Sequence, residues 1–69
     1  MNLSPKYLIK ILEQNGFIYK RGKGSHQLYF NPSTNKTVIV PVHGGKDMKK
    51  GTFLDIIKQA GIDKSILDL

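Results

Sequence analysis

The spacing of apolar residues along the 69-residue chain predicts a helix at the start. Its apolar residues recur at helical spacing and are Leu8, Ile11 and Leu12. Ser4 offers an oxygen that can cap the first turn, and Pro5 suits the first helical position. Gly16 is expected to end the helix, because glycine readily adopts the left-handed conformation that follows many helices.

From residue 17 the apolar period changes to two, which is typical of β-strands. The alternation over residues 17–21 predicts a strand with Tyr19 and Arg21 on one face. Residues 22–24 contain two glycines and are predicted to form a flexible turn.

Two further strands are expected to complete an antiparallel sheet. The second is predicted over residues 25–31, and residues 31–35 are dense in turn formers. Residues 36–41 are rich in β-branched side chains and are predicted to pair with the second strand as a hairpin. Pro41 should end that strand or hold it at an edge of the sheet, because proline cannot donate to a ladder.

A loop over residues 42–47 leads to the chain's best amphipathic helix. Its apolar residues follow the i, i+3, i+4, i+7 spacing and are Phe53, Ile56, Ile57 and Ala60. Thr52 and Asp55 have the spacing of a capping box, which predicts that the helix starts at Thr52. Gly61 is expected to close it, and Asp63 to cap a last short turn.

The predicted order of elements is α-β-β-β-α, followed by a C-terminal helical turn. Each helix has an apolar face, and the simplest arrangement packs these two faces on the same side of the sheet. We therefore predict an α+β two-layer sandwich in a single domain over residues 1–69. The double-stranded-RNA-binding domain has this order of elements and about this length.

The positive charge is concentrated in the centre of the chain. Eleven Lys+Arg against five Asp+Glu give a formal net charge of +6. Residues 1–15 and 53–69 together carry four basic and four acidic residues, so residues 16–52 hold the whole excess. A concentrated positive field favours a polyanionic partner, with nucleic acid first and an anionic membrane second. The alternative is an ordinary solvated surface rich in lysine.

The composition also excludes several classes of protein. The chain has no cysteine, which excludes a disulfide framework, a thiolate zinc site and a cysteine nucleophile. Its first residues lack the basic and apolar regions of a signal peptide, and no apolar run approaches the ~18 residues of a membrane span. We expect a cytoplasmic protein that does not enter a membrane.

The segment around His26 carries the strongest indication of chemistry. His26 stands at the start of the second predicted strand, beside several basic residues. An imidazole that titrates near neutrality, next to cations that hold phosphate, has the components of a phosphodiester-cleaving site. It could remove the proton from a ribose 2′-OH or protonate the leaving 5′-oxygen, and neither role requires a metal ion or another cofactor. The residues expected to hold RNA here are Lys20, Arg21, Lys23, Gly24 and Ser25.

The alternative for His26 is a structural role. It shares strand parity with Leu28 and Phe30, so it could lie at the edge of the core-facing side, hydrogen-bonded and inert. The tyrosines are similarly open to two interpretations: they could stack on bases or pack along the sheet and helix with the hydroxyl outward.

A second group of candidates follows the third strand. His43 lies in a Gly-Gly loop beside Lys46 and could act as a second proton carrier, or it could be a loop histidine exposed to solvent or in contact with phosphate. Lys49 and Lys50 stand near the start of the last long helix, where free backbone N–H groups attract anions, although ordinary capping is the alternative. The spacing of the histidines and Asp47 fits no common metal-ligand pattern, so no metal is expected.

Three segments, in this order along the chain, match the pattern of one family. They are Gly24-Ser25-His26 with Leu28 and Tyr29, then Val40-Pro41-Val42-His43, then Lys50-Gly51-Thr52-Phe53-Leu54 leading through residues 57–62. On these segments the chain resembles the HicA toxins of type II toxin–antitoxin systems over nearly its whole length. Phe53 stands where leucine is usual, a difference that should affect packing and not chemistry.

The resemblance implies a double-stranded-RNA-binding-domain-like fold, cleavage of mRNA independently of ribosomes, and neutralisation by a HicB-like antitoxin encoded beside the toxin. The family's catalytic histidine matches His26, and His43 matches a second histidine whose role in the family is less certain. We therefore expect a metal-independent toxin endoribonuclease with one essential histidine. The alternatives are a non-catalytic RNA-binding module of the same fold and a chain that serves mainly as a protein-interaction partner.

Overall fold

The computed structural model describes residues 1–67, which form two α-helices, a three-stranded antiparallel sheet and a short 3-10 helix. The elements are α1 (Pro5–Gln14), β1 (Ile18–Lys23), β2 (His26–Asn31), β3 (Lys36–Pro41), α2 (Lys50–Gln59) and the 3-10 helix η1 (Lys64–Ile66). The predicted α+β class, the α-β-β-β-α order and the C-terminal helical turn are confirmed. The last two residues of the domain predicted over residues 1–69 lie outside the described part.

The sheet has the order β1-β2-β3, so β2 is central and each neighbour pairs with it in antiparallel fashion. The predicted hairpin of β2 and β3 is confirmed, and Pro41 is the last residue of β3 at the sheet edge. No helix within residues 1–67 is long and apolar enough to cross a membrane.

Both helices pack on one face of the sheet. That face carries the buried Tyr29, Val38 and Val40, which belong to a single core with the apolar stripes of the helices. The helix residues in this core are Leu8, Ile11, Leu12, Phe53, Ile56 and Ile57, and Ala60 at the C-cap of α2 joins them. Burying these stripes against the sheet is the main source of stability for such short helices. The predicted two-layer arrangement is therefore confirmed.

The tyrosines pack against protein aromatics. The rings of Tyr7 and Phe53 are stacked with centroids 6.1 Å apart, and those of Tyr19 and Tyr29 meet edge to face at 5.7 Å. Burial raises the pKa of the Tyr29 phenol, and its hydroxyl donates to the Gln27 side-chain oxygen (3.2 Å). These contacts favour the packing interpretation of the tyrosines.

Most helix ends lie at the capping residues that the sequence predicts. Ser4 caps α1 by accepting from the Tyr7 N–H (3.1 Å), as predicted. After α1, Gly16 has a φ of +93°, and the Phe17 N–H donates to the Leu12 carbonyl (3.0 Å). This is the Schellman arrangement, and Gly61 closes α2 in the same way. Asp63 caps η1 by accepting from a backbone N–H, which lowers the pKa of its carboxyl.

The start of α2 differs from the prediction. The helix begins at Lys50 with Lys49 at the N-cap, so Thr52 is its third residue and the predicted capping box is wrong. Met48 is buried, and its N–H donates to the Leu3 carbonyl (2.8 Å). This anchor fixes the chain against the core just before Lys49, and the helix begins there without a capping side chain.

Candidate active site

His26 lies on the face of the sheet that faces away from both helices. In β2 the buried Tyr29 points into the core, so His26, Leu28 and Phe30 point to the opposite face. We call this the open face. The shared parity of these three residues was predicted correctly, but the suggestion that their face is core-facing is wrong. The ladder pairs Tyr29 with Val38, and this pair supplies the core side.

A β-bulge in β1 places two cations on the open face. Tyr19 pairs with Tyr29, but the next pair along the strand joins Arg21 to Leu28, so Lys20 is an extra residue in β1. The extra residue reverses the alternation that follows it. Arg21 and Lys23 therefore lie on the same face as His26, and the predicted grouping of Arg21 with Tyr19 is wrong.

β1 also runs further than predicted. It continues to Lys23, which pairs with His26, and only Gly24 and Ser25 form the turn of the hairpin. Gly24 has a φ of +59° at the first turn position, which suits glycine. The half-buried Ser25 is held in place because its carbonyl accepts from the Val42 N–H (2.6 Å). The segment that holds His26 is therefore a tight hairpin end and not a flexible loop.

The open face contains a shallow depression that brings the candidate residues together. Its lining residues are Arg21, Gly22, Lys23, His26, Leu28 and Ile39. Two cationic side chains and the imidazole thus surround one concave surface, and the cross-strand pair of Leu28 and Ile39 adds an apolar part. The imidazole is exposed, so a ligand can reach it. This arrangement can hold an anion next to a proton carrier.

Lys20 takes a different position. As the bulged residue it lies outside the depression, and its amino group is 5.8 Å from the centroid of the Phe30 ring. This is a cation–π contact at the far end of the open face. Lys20 remains exposed, so its charge still adds to the field around the hairpin.

The second group of candidates surrounds a separate depression. Its lining residues are Pro41, His43, Lys46, Asp47, Met48, Lys49 and Thr52. His43 is exposed there, and its carbonyl accepts from the Lys46 N–H (3.1 Å). The structure therefore assigns the two histidines to two depressions. Pro41 connects them, since it pairs with His26 in the sheet and lines the depression of His43.

Lys49 and Lys50 stand at the beginning of α2, where the sequence placed them. No side chain in the described chain caps this helix, so the N–H groups of its first turn are left to solvent or to a ligand. Both lysines are exposed. The positive end of the helix dipole and two ammonium groups therefore coincide. Within residues 1–67, no three His, Cys, Asp or Glu side chains are grouped closely enough to hold a metal ion.

Three residues that line the depression of His26 are not predicted as site residues from the sequence: Gly22, Leu28 and Ile39. The sequence places Leu28 on the strand face of His26 but assigns it no role at the site. Ile39 looked like an ordinary strand residue, although its parity opposite to Val38 and Val40 could have placed it on the open face. The sequence predicts Gly22 in a turn, but it lies inside β1, and a Cβ there would lie 2.8 Å from the Tyr19 hydroxyl. A glycine inside an alternating strand is a known indication of a bulge.

The sequence is similar to those of known proteins. The sequence model of a family described as the HicA toxin of bacterial toxin–antitoxin systems matches residues 5–62, which include both depressions. A curated protein of Pseudomonas fluorescens (strain Pf0-1), named "Probable mRNA interferase HicA", is 40% identical over 52 residues. That alignment covers 74% of this chain and 82% of the Pseudomonas protein.

Proposed function

The chain belongs to the HicA toxin family and is an endoribonuclease, and on that premise we propose that it cleaves mRNA with His26 as its essential proton carrier. The observation that carries this proposal is the depression on the open face, where Arg21 and Lys23 share one concave surface with the exposed imidazole of His26. A cationic surface next to an imidazole suits a phosphodiester substrate.

The cations hold the RNA backbone. Arg21 presents a planar guanidinium that can donate two parallel hydrogen bonds to phosphate oxygens, and Lys23 adds a second positive charge beside His26. Gly24 and Ser25 form the turn next to them, where the missing Cβ of glycine allows close approach of the backbone. The remaining RNA contacts of the proposal are Lys20, Lys46, Lys49 and Lys50, whose exposure leaves them free to reach phosphates.

His26 transfers the proton. As a general base, its imidazole removes the proton from a ribose 2′-OH, the 2′-oxygen bonds to the adjacent phosphorus, and the bond from phosphorus to the 5′-oxygen breaks. As a general acid, the imidazolium instead gives its proton to the leaving 5′-oxygen. In the first route water protonates the leaving 5′-oxygen, and in the second water takes the proton of the attacking 2′-OH, so both routes end in a 2′,3′-cyclic phosphate and a 5′-hydroxyl without a metal ion. Because mRNA is translated in the cytoplasm, the proposal includes a cytoplasmic site of action.

We propose that the protein partner that neutralises this chain is a HicB-like antitoxin. A basic surface with an exposed catalytic group is best blocked by a protein that covers His26 and presents carboxylates to Lys20, Arg21 and Lys23. In a purified complex, solvent access to the His26 ring should fall, which NMR titration of the imidazole would detect. A complex that inhibits cleavage while His26 titrates as in the free chain would contradict this mode of neutralisation.

The test is RNA cleavage by three forms of the chain in the presence of EDTA: wild type, His26→Ala and His43→Ala. His26→Ala should lower the cleavage rate by about 10²- to 10⁴-fold, the usual contribution of a general acid or base. His43 lines the other depression, so His43→Ala serves as the matched control and should retain most of the activity. Circular dichroism establishes that each variant is folded, and growth of expressing cells gives a second readout.

The possible results separate the candidate mechanisms. Equal loss in both variants would replace the single-histidine mechanism with one that uses two imidazoles. Cleavage that survives in His26→Ala would overturn the assignment of His26. Intact RNA after prolonged incubation with wild type, together with salt-dependent binding, would favour a non-catalytic RNA-binding module.

A further inference from the structure

The depression beside His26 has an apolar part that phosphate binding does not use. Ile39 is 51% exposed, and Leu28 is half-buried next to it. Single exposed apolar residues are ordinary on protein surfaces. These two are direct cross-strand partners, so their side chains lie ~5 Å apart and form one continuous apolar surface.

The part of the open face's apolar surface that lines the depression lies at the His26 end. At the other end, Lys20 extends over the Phe30 ring with its amino group 5.8 Å from the centroid. Leu28 and Ile39 line the depression, whereas Phe30 does not. Of the exposed apolar residues on the open face, Ile39 adjoins the cations and the imidazole, whereas Ile18 pairs with Phe30 at the other end.

A nucleotide has the same two-part chemistry: an anionic phosphate and, beside it, a flat base with apolar faces. Along β2, His26 and Leu28 are two residues apart, which corresponds to ~6.7 Å. That spacing is comparable to the separation of the phosphate from the base within one nucleotide. A phosphate held at Arg21 and Lys23 would leave its base close to Leu28 and Ile39.

We propose that Leu28 and Ile39 form a base-binding surface, on which one unstacked base next to the scissile phosphate rests. This inference rests on the function proposed above and deepens it by naming the substrate class, which is single-stranded RNA. In a duplex the base is enclosed between its neighbours and cannot reach a flat sheet surface. The surface selects for an accessible base and contributes to positioning the 2′-OH at His26.

An acidic protein would also complement the cations of this face. The nucleotide is favoured because the charged and apolar residues share a single small depression with the proton carrier, which matches one nucleotide rather than an extended protein surface. The experiment below therefore includes a result that would show that Leu28 and Ile39 bind a protein partner instead of a base.

The chain offers a matched pair of variants for the test. Ile39→Thr removes apolar surface from the depression but keeps a β-branched side chain in the strand. Ile18→Thr makes the same change at a residue of the open face that is 47% exposed and does not line the depression. Any general effect of the substitution on folding or on the sheet should be similar in the two variants.

Three substrates complete the experiment: a short single-stranded RNA, the same strand annealed to its complement, and the same strand with one abasic ribose next to the cleavage site. The abasic strand keeps the 2′-OH and the phosphate but has no base. Wild type should cleave the intact single strand about tenfold faster than the other two, the order expected when a base no longer buries apolar surface against Leu28 and Ile39. Ile39→Thr should lose about fivefold in kcat/KM on the intact strand and little on the abasic strand, and Ile18→Thr should behave as wild type.

Several results would overturn the inference while leaving the endoribonuclease function intact. They include equal cleavage of intact and abasic strands by wild type, and equal losses in Ile39→Thr and Ile18→Thr. A third is unchanged cleavage by Ile39→Thr combined with growth arrest that a co-expressed antitoxin no longer relieves, which would identify a protein-binding surface.

If wild type cleaves no RNA, the proposed function fails, and RNA binding measured by fluorescence anisotropy then tests the base contact. Tighter binding of the intact than of the abasic strand supports it, and equal binding overturns it.

Discussion

Lys20 determines which side of the sheet carries the cations that precede the hairpin. Side chains alternate between the two faces of a strand, so one additional residue transfers every later side chain to the other face. With Lys20 as the extra residue, Arg21 pairs with Leu28 on the open face, and Gly22 takes the core side next to Tyr19. The bulge therefore places Arg21 on the same face as His26 and brings position 22 close to the Tyr19 hydroxyl.

Gly22→Ala should destabilise the fold by about 1 kcal/mol, at the low end of the cost of overpacking. The reason is that the new Cβ would lie 2.8 Å from the Tyr19 hydroxyl, and the Tyr19 ring is held edge to face on Tyr29. Chemical denaturation of Gly22→Ala and wild type measures the difference in the free energy of unfolding.

The double variant Tyr19→Phe with Gly22→Ala is the control, since it removes the hydroxyl that the Cβ would approach. It should recover the lost stability, because the close approach of the Cβ to the hydroxyl is gone and alanine still restricts the unfolded chain more than glycine does. If the Cβ and the hydroxyl are in direct contact, Gly22→Ala should lower the free energy of unfolding more with Tyr at position 19 than with Phe. If Gly22→Ala is equally destabilising with Phe at position 19, the cost has another origin.

The elements are joined by a buried polar contact at the end of β2. Asn31 is only 4% exposed. Its amide donates to the Asn15 carbonyl at the end of α1 (3.0 Å), and its side-chain oxygen accepts from the Ser33 N–H in the next turn (2.9 Å). One side chain therefore fixes a helix end and a hairpin turn relative to the sheet.

Asn31→Ala should lower the free energy of unfolding by about 1–3 kcal/mol, because it leaves backbone groups of α1 and the turn without their partners. Asn15→Ala is the matched control. It removes a side-chain bond to the Ile11 carbonyl (2.8 Å) within the same helix end but keeps the Asn15 carbonyl that Asn31 contacts. Thermal and denaturant unfolding should show that Asn31→Ala is much less stable than Asn15→Ala. Equal losses of stability in the two variants would contradict the joining role of Asn31.

Elements with strong local determinants could be predicted from the sequence. Ser4, Gly16 and Gly61 fix helix ends through contacts within a few residues, and the run of β-branched side chains over residues 36–41 predicts β3. The start of α2 was missed because it depends on Met48, whose anchoring to Leu3 joins segments far apart in the chain. The side of the sheet that carries His26 depends in the same way on which strand residues the helices cover.

The candidate site was predictable as a set of residues but not as an arrangement. The sequence identified His26 and the cations around it because imidazole and phosphate chemistry limit the suitable residue types. It could not show that Arg21 and His26 share a face, since the bulge at Lys20 is a property of strand pairing. It also could not separate His43 from His26, because that depends on the path of the chain after Pro41.

At the scale of the whole molecule, the positive charge forms two groups on either side of Pro41. One group lies beside His26 on the open face, and the other surrounds the start of α2. The C-terminal segment contributes no positive excess, since residues 53–69 carry two lysines and three aspartates. A nucleic acid that contacts both groups would be held by many separate phosphate contacts, and its affinity would depend strongly on salt.

The salt dependence of RNA binding therefore tests whether the lysines at the start of α2 belong to the same binding surface as His26. In a His26→Ala background, which keeps the RNA intact, the logarithm of the association constant should fall linearly with the logarithm of salt concentration. Each phosphate contact on a single strand contributes about 0.7 to the slope. Replacing Lys49 and Lys50 by glutamine should reduce its magnitude by about 1.4. Replacing Lys58 and Lys64, which lie outside the basic centre, removes the same charge and should leave the slope unchanged. Equal reductions in the two pairs would mean that the RNA responds to total charge, and that the start of α2 is not a specific part of its path.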